Sequence, residues 1–227
     1  MQAPDALLQR IDALPDMATG HKRLVVVMGQ LGDFDSLEYA EALVRAWSTI
    51  QAAGIKIQAF GIGSEASAER FCTFTEFPRT HLIAERSNDL HRDLGLYSGL
   101  ERMGGPWPNL LMMCAGVGSP GTLREVIRGY TGDRTAPARL TSSLFDLAGQ
   151  GFQRPFELAT VRLNNMVEVL GRWRTYVPED DYLCQRGGTY LLDETNDLLY
   201  SHHDRGILGF SETMANPLTF LDQVLKR

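Results

Sequence analysis

Hydrophobic residues in the first sixty positions form two short runs separated by a segment with helical spacing. The run RLVVVM, from Arg23 to Met28, is typical of a parallel strand buried on both faces. In the following segment, SLEYAEALVRAWSTIQAAG, apolar residues recur every three or four positions until Gly54 ends the pattern. The segment from Ile55 to Ile62 (IKIQAFGI) then alternates as a second strand. The predicted order is therefore strand, helix, strand.

The same order continues along the next forty residues. Either Ser64 or Ser67 is predicted to cap a helix that reaches about Glu76. A third strand is predicted over 80–84, and Ser87 is predicted to cap a short helix after it. Alternating strands and helices favour right-handed crossovers, so we expect a parallel sheet covered by helices.

The middle of the chain is less regular. The motif GGPWP at 104–108 is interpreted as a linker or rigid loop. Thr122 and Glu125 have the spacing of a capping box and predict a helix that ends near residue 129. Pro155 is predicted to stand at the first position of an amphipathic helix over 156–173.

Two short β runs and a helix are predicted at the C-terminal end. The runs at 188–193 and 197–202 are separated by three polar residues, a spacing typical of a hairpin. Asn216 and Pro217 are predicted to start the final helix. The chain is therefore expected to end as strand, strand, helix.

Composition narrows the function classes. The 227 residues support one core, and no apolar run approaches the roughly 20 residues of a membrane-spanning helix. A formal net charge of -6 argues against general nucleic-acid binding, because phosphate neutralisation needs clustered cations. A small molecule or another protein is the expected partner. Residues 1–20 lack the pattern of a signal peptide, so a cytoplasmic location is expected.

Neither a metal nor a cofactor is expected. His202 and His203 are adjacent on a predicted strand and should point to opposite faces, so they cannot normally share one ion. The glycine-rich turns lack a complete phosphate-binding motif. Cys72, Cys114 and Cys184 lie far apart and form no Cys-x-x-Cys motif, and we interpret the first two as core residues.

The chain resembles the peroxiredoxin-like branch of the alkyl hydroperoxide reductase/thiol-specific antioxidant (AhpC/TSA) family. The resemblance rests on VVVMGQLGDFDSLEYA, AERFCTFTEFP, DLHRDLGLYSG, GSPGTLREVIRGYTGDR and QRGGTYLLDETNDLLYSHHDRG. It covers most of 23–205. It implies an α/β thioredoxin-like fold, with a central mixed sheet flanked by helices, as a single domain over 1–227. Residues 1–20 are then an N-terminal extension, and 103–182 are a helical insertion before the C-terminal hairpin.

The resemblance also implies where a redox site would lie. That branch typically places Gly-Cys-x-x-Cys at the start of the first helix, where the helix N-terminus stabilises a thiolate. The matching residues here are Gly-Asp-Phe-Asp-Ser, so Asp33 and Ser36 stand at the two cysteine positions. Neither side chain can form the sulfenic acid that peroxide reduction requires. We interpret Asp33, Asp35 or Ser36 as caps for free backbone N–H groups.

Two function hypotheses remain open. In the first, a thiol-dependent peroxidase or oxidoreductase uses a displaced cysteine, Cys184, with Arg186 favouring its thiolate. In the second, the chain is a non-catalytic binding or scaffold protein in a redox or photosynthetic context. The helical insertion at 139–178 is then a candidate docking surface for a partner protein or an acidic ligand. The alternative is that its amphipathic helix packs one face on the core and leaves a solvated basic face, which carries Arg154, Arg162, Arg172 and Arg174. The aromatic residues expected to be exposed on the docking surface are Phe145, Phe152 and Trp173.

Overall fold

Five strands form one mixed sheet in a computed structural model that describes residues 1–139 and 150–225. The strands are β1 (Lys22–Gln30), β2 (Ile55–Ile62), β3 (Leu82–Glu85), β4 (Gly188–Leu192) and β5 (Leu198–His203). Their order in the sheet is β3-β2-β1-β4-β5. β1, β2 and β3 are parallel, whereas β4 is antiparallel to β1 and β5 is antiparallel to β4. The predicted parallel half and the predicted hairpin are therefore both confirmed.

Helices cover both faces of this sheet. They are α1 (Asp5–Ile11), α2 (Phe34–Ala52), α3 (Glu65–Thr75), α4 (Asp89–Asp93), α5 (Pro106–Cys114), α6 (Thr122–Thr131), α7 (Gln150–Gly171), α8 (Trp173–Tyr176) and α9 (Asp222–Leu225). α5 to α8 lie between the parallel half and the hairpin, where the helical insertion was expected. The fold is the α/β thioredoxin-like arrangement that the resemblance implies. Within the described residues, every helix is too short or too polar to cross a lipid bilayer.

The central strand β1 joins two hydrophobic cores. Leu24 and Val26 pack into the core beneath α2 and α3, while Val25 and Val27 face the core beneath α1 and α4. Alternate residues of a strand point to opposite faces, so a continuous apolar run is what a strand covered on both sides requires. Leu7 and Ile11 of α1 are fully buried, so this helix packs one face against the second core.

Local signals set the ends of the best-predicted helices. Ser64 caps α3, and its hydroxyl accepts the backbone N–H of Ser67 while the Ser67 hydroxyl accepts the backbone N–H of Ser64. Both serines named as cap candidates therefore form one reciprocal capping box. Gly54 follows α2 with φ of +71°, the left-handed conformation in which glycine pays no Cβ penalty.

The predictions for α5 and α6 were partly wrong. α5 begins at Pro106, inside the segment interpreted as a loop, because proline suits the first turn of a helix. α6 has Gly121 as its N-cap and no side-chain capping bond. The Thr122 hydroxyl instead donates to the backbone oxygen of Ile207, at 3.2 Å. The capping box was therefore wrong because this hydroxyl has a long-range partner.

Three other helix starts also differ from the prediction. α7 begins at Gln150, so Pro155 lies inside the helix and not at its first position. Because proline has no backbone N–H, the helix lacks one hydrogen bond there. Packing of α7 against α2 and α6 offsets this loss. α4 has Asn88 as its N-cap, and the Ser87 hydroxyl donates to the side chain of Asp89. At the C-terminus a 3-10 turn over Thr219–Leu221 precedes α9, so the helix does not start at Asn216 and Pro217.

Candidate functional site

Asp33 is the N-cap residue of α2, in the short loop that follows the carboxyl end of β1. Parallel strands of α/β proteins carry their sites at this edge of the sheet. The side chain of Asp33 makes no capping hydrogen bond, so the interpretation of this residue as a side-chain cap was wrong. Its carboxylate accepts a hydrogen bond from Arg186 instead, with 3.1 Å between Oδ2 and Nη2.

Arg186 lies in the segment that enters β4 and is 2 % exposed. Its Nη1 donates to Oδ2 of Asp35 at 3.0 Å, which gives the guanidinium a second carboxylate partner. Its Nε donates to the backbone oxygen of Cys184 at 3.1 Å, and its Nη2 also donates to the backbone oxygen of Leu183 at 3.0 Å. These bonds use most of the N–H donors of the guanidinium group, whose fixed planar arrangement distinguishes arginine from lysine.

The backbone of β1 leaves space for this ion pair at Gly29. A Cβ atom there would lie 2.5 Å from Oδ2 of Asp33 and 2.7 Å from the backbone oxygen of Gln185. The pairing register between β1 and β2 also shifts between Val27 and Gln30. A glycine in a strand often marks such a close approach, so Gly29 is suited to place the carboxylate beside Arg186.

One guanidinium faces two carboxylates in a buried site. Burial raises the pKa of Asp33 to about 8, against the opposing attraction of Arg186 and with a further contribution from the negative charge of Asp35. Burial also opposes the charge of Arg186, but the attraction of Asp33 and Asp35 outweighs it and raises the pKa of the guanidinium. Arg186 therefore stays charged, while burial makes the neighbouring Asp33 harder to ionise.

Ser36 and Asp204 line a cavity of about 10 Å³ beside Arg186, which has room for about one water molecule. Ser36 lies in the first turn of α2 and is buried. Asp204 follows β5, and burial raises its pKa to about 6. Its Oδ1 lies 3.2 Å from Nε2 of His202, so a second titratable pair borders the Arg186 site.

Cys184 is 5 % exposed, and its sulfur contacts α5. Sγ donates to the backbone oxygen of Pro106 at 3.6 Å, and burial raises the pKa of the thiol. The backbone of Gly99 packs so closely here that an added Cβ would lie 2.4 Å from Cβ of Cys184. Arg186 contacts this residue through the backbone oxygen, whereas its Nη atoms contact the two aspartates.

The other two cysteines differ from each other. Cys72 is buried in the core, as predicted, and burial raises its pKa to about 11. Cys114 is exposed at the end of α5, so its interpretation as a core residue was wrong. The described residues contain no group of histidines, cysteines and acids placed to hold a metal ion.

A second buried charge cluster links α7 to α2. Glu38 is fully buried and pairs with Arg139 at 2.8 Å and with Arg162 at 2.9 Å. Burial opposes the ionisation of Glu38, but the two guanidinium groups outweigh it and lower its pKa. Arg162 was expected on a solvated basic face, and that prediction was wrong because Glu38 and Glu125 draw it inward.

The aromatic residues expected on the insertion surface are placed only in part. Trp173 is half-buried, with its ring 5.1 Å from that of Trp107. Phe145 lies outside the described residues, as does the side chain of Phe152. The description of an exposed aromatic surface is therefore wrong for Trp173.

Sequence reasoning missed the partners of Arg186. Asp35 was considered only as a cap, and Asp204 was not predicted to lie near Arg186. The β5 side chains alternate between half-buried and exposed, and Asp204 continues this alternation inward. That alternation was the available signal for Asp204. His91 carried no comparable signal, although it is buried and its Nε2 lies 2.7 Å from the backbone oxygen of Met28.

The family model for the AhpC/TSA antioxidant enzyme matches residues 42–206. The match covers β2 to β5 and more than half of the chain. The chain belongs to the AhpC/TSA antioxidant enzyme family. Asp33 and Ser36 precede the matched range, whereas Cys184 and Arg186 lie within it. Among curated proteins, none matches the chain.

Proposed function

We propose that this AhpC/TSA family member belongs to the peroxiredoxin-like branch and is a non-catalytic binding or scaffold protein. The observation that carries the proposal is the ion pair between Asp33 and Arg186 at the start of α2. By resemblance, the branch presents its attacking sulfur at this position. A carboxylate cannot be oxidised to a sulfenic acid and reduced again, so Asp33 cannot act as the peroxide-reducing group at this position.

The geometry also gives the ion pair a structural role. It joins the loop after β1 to the segment entering β4, two parts of the chain that are 153 residues apart. Removing one partner of a buried pair leaves an uncompensated charge, which is strongly destabilising. Asp33 and Asp35 both bind Arg186 at the edge of the sheet where the resemblance predicts the redox cysteines.

The second hypothesis, a peroxidase that uses Cys184, has one favourable observation. The positive charge of Arg186 acts to lower the pKa of this thiol, but burial outweighs it and the pKa is raised. Nucleophilic cysteines are thiolates in partly exposed, electropositive sites. Cys184 is buried and its sulfur contacts a backbone oxygen of α5, so we favour the binding role.

Peroxide consumption over many equivalents tests this proposal, with dithiothreitol or thioredoxin as the reductant. The unmodified chain, Cys184→Ser and a cysteine-free form are expected to give the same background rate. Cys72→Ala is the matched control, because the charged groups that act on the Cys72 thiol are Arg79, Glu69 and Glu65, which lie outside the ion-pair site. Turnover that disappears in Cys184→Ser and in the cysteine-free form, but persists in the control, would contradict the proposal and identify a displaced nucleophile.

For this binding role, we propose that the helical insertion, 139–178, is the surface that contacts a partner protein. Its support is the exposed apolar side chains of α7, which include Leu163 and Leu170. The redox or photosynthetic context remains a prediction from the resemblance, as does the cytoplasmic location.

A further inference from the structure

A cleft of about 720 Å³ lies between α6 and the segment that follows β5. This cleft, called the α6–β5 cleft below, is lined by residues from 120–135 and 202–215. We propose that it binds a small organic phosphate monoester, with the phosphate group held by Arg124 and Arg205 and the organic part lying toward Met214. The cleft is separate from the contacts of Arg186 with its two aspartates, so the proposal does not depend on the loss of thiol catalysis.

Hydrogen bonds fix the segment after β5 beside α6. The backbone N–H of Ile207 donates to the hydroxyl of Ser119 at 2.9 Å and to that of Thr122 at 3.0 Å. Further along the helix, Nη2 of Arg128 donates to the backbone oxygen of Met214 at 3.3 Å. The segment therefore runs in the same direction as α6. One end of the cleft lies where the helix begins, and the other lies near Arg128.

The wall of the cleft around Leu208 is held in an uncommon conformation. An added Cβ at Gly206 would lie 2.4 Å from the backbone oxygen of Pro120, so the two backbones are in close contact. Leu208 has a φ of +60°, a left-handed conformation that is uncommon for a residue with a bulky side chain. Such conformations persist where the surrounding structure enforces them, and they are concentrated at ligand-binding sites. Leu208 lines the cleft, so this wall is already shaped before a ligand arrives.

The charged side chains of the cleft fall into paired and unpaired groups. Glu125 and Asp133 are both paired with Arg128, at 2.8 and 2.9 Å. Arg124 and Arg205 are exposed, and in the part of the chain that the structure describes neither forms an ion pair with an acidic side chain. The guanidinium carbon of Arg205 instead lies 5.3 Å from the ring centre of Tyr97. The cleft thus offers two guanidinium groups to an anion.

The remaining acid of the cleft, Glu212, lies away from these two arginines. Burial, and after it the negative charge of Glu212, raises the pKa of Tyr200 to about 12. Glu212 has a weaker influence on His202, whose Nε2 lies 3.2 Å from Asp204. Tyr200 and His202 both belong to β5 and precede Arg205. Unpaired positive charge is therefore concentrated at the end of the cleft where α6 begins.

Two guanidinium groups without acidic partners match the charge of a phosphate monoester. The planar guanidinium group donates paired hydrogen bonds to the oxygens of phosphate and carboxylate. A phosphate monoester carries about 1.5 to 2 negative charges at pH 7, which Arg124 and Arg205 together balance. A single carboxylate would leave one of the two positive charges uncompensated. The charge of the site therefore favours phosphate.

The size of the cleft favours an organic molecule over a free phosphate ion. Small-molecule sites typically have volumes of about 300 to 1,000 Å³, and the α6–β5 cleft is within this range. Its apolar lining can contact an organic group and consists of Pro120, Leu208, Met214 and Ala215. A nucleic acid fits less well, because the formal net charge of the chain is -6 and a polyanion needs many clustered cations.

Isothermal titration calorimetry with phenyl phosphate tests the proposal on the full chain at one fixed, low ionic strength. Saturable binding is expected. Arg124→Gln and Arg205→Gln should each raise the Kd by roughly tenfold or more, because each removes charge-assisted hydrogen bonds to the phosphate. Arg102→Gln is the matched control, since Arg102 is an exposed arginine outside the cleft. This variant should bind phenyl phosphate as the unmodified chain does.

Inorganic phosphate and isophthalate, a dicarboxylate of similar size, test the chemistry of the ligand. Both are expected to bind roughly tenfold or more weakly than phenyl phosphate. Inorganic phosphate lacks the organic part, and the two carboxylates of isophthalate cannot share the position of one dianion. Equal binding of inorganic phosphate would overturn the assignment of an organic ligand, and tighter binding of isophthalate would overturn the assignment of a phosphate.

Three other results would overturn the site itself. They are the absence of saturable phenyl phosphate binding, unchanged binding in both cleft variants, and an equal loss of binding in Arg102→Gln. Far-UV circular dichroism verifies that each variant is folded. Arg124 and Arg205 are both exposed, so neither substitution should unfold the chain.

This test and the peroxidase test fail independently. A chain that binds phenyl phosphate through the two arginines and also turns over peroxide through Cys184 would retain the ligand site and remove the non-catalytic proposal. A chain with neither property would retain the non-catalytic proposal and remove the ligand site.

Discussion

Arg186 Nη2 lies 3.1 Å from Asp33 Oδ2, and this ion pair connects the N-cap of α2 to the segment entering β4. Asp35 binds the other terminal nitrogen of the same guanidinium. The pair lies near the carboxyl end of β1, where the thioredoxin-like fold brings the start of α2 next to the segment that enters β4. The expected consequences concern stability, pH and the chemistry that can be introduced at this position.

Arg186→Met is expected to destabilise the chain by about 3 to 5 kcal/mol, because it removes the cation and the hydrogen-bond donors that the buried Asp33 and Asp35 share. Arg186→Lys should recover only part of this loss, since an ammonium group cannot reproduce the planar fork. Urea unfolding at one fixed protein concentration measures both effects. The control is Arg205→Met, whose guanidinium is exposed and lies 5.3 Å from the ring centre of Tyr97. Equal losses for Arg186→Met and Arg205→Met would show that the buried pair has no special weight.

Asp33→Asn is expected to change how stability depends on pH. The folded-state pKa of Asp33, about 8, is above its ordinary value of 3.8, so the folded chain binds this proton more tightly than the unfolded chain. Between these two values unfolding releases a proton, and stability falls as pH rises, by up to about 1.4 kcal/mol per pH unit. The asparagine side chain does not titrate, so this pH-dependent contribution to stability is absent from the variant.

As pH rises from 5 to about 8, the free energy of unfolding should therefore fall in the unmodified chain but not in Asp33→Asn. The difference between the two should shift in favour of the variant. Urea midpoints across this range measure the difference. Asp16→Asn, at an exposed position, is the control and should leave the pH profile unchanged. A constant offset between Asp33→Asn and the unmodified chain would mean that Asp33 does not titrate in this interval.

Asp33→Cys combined with Ser36→Cys is expected to form an intramolecular disulfide. The two positions are the N-cap and the first turn of α2, where the helix N-terminus and Arg186 favour a thiolate. A Cys114→Ser background removes the exposed native thiol. Mass measurement should show the loss of two hydrogens, reversible with dithiothreitol, and Asp33→Cys alone should not show it. A folded double variant that keeps both thiols reduced under oxidising conditions would contradict the assignment of these positions.

The sequence predicted the sheet well because its signals are local. The β-branched run of β1, the alternation of Ile55–Ile62 and the serines at Ser64 and Ser67 depend on neighbouring residues, and each lies where it was expected. Strand and helix periods differ, so the two classes are separable before any tertiary contact is known.

The incorrect predictions concern residues whose partners are distant in sequence. Thr122 has cap spacing, but its hydroxyl binds Ile207, 85 residues later. Arg162 has the spacing of a solvated face, but Glu38, 124 residues earlier, binds it in the interior. The same reasoning located Asp33 and Ser36 at the helix start and could not show which cation Asp33 would bind. Only the fold brings Arg186 to that position.

The most direct measurement compares the rate at which peroxide oxidises Cys184 in the folded chain and in the chain unfolded in urea. Trapping of the sulfenic acid followed by peptide mass analysis resolves this residue from Cys72 and Cys114. Burial raises the pKa of the Cys184 thiol and limits access to its sulfur, so we expect slower oxidation in the folded chain. A site that activates this sulfur would reverse the order, and faster oxidation of Cys184 in the folded chain would contradict the assignment of a non-catalytic role.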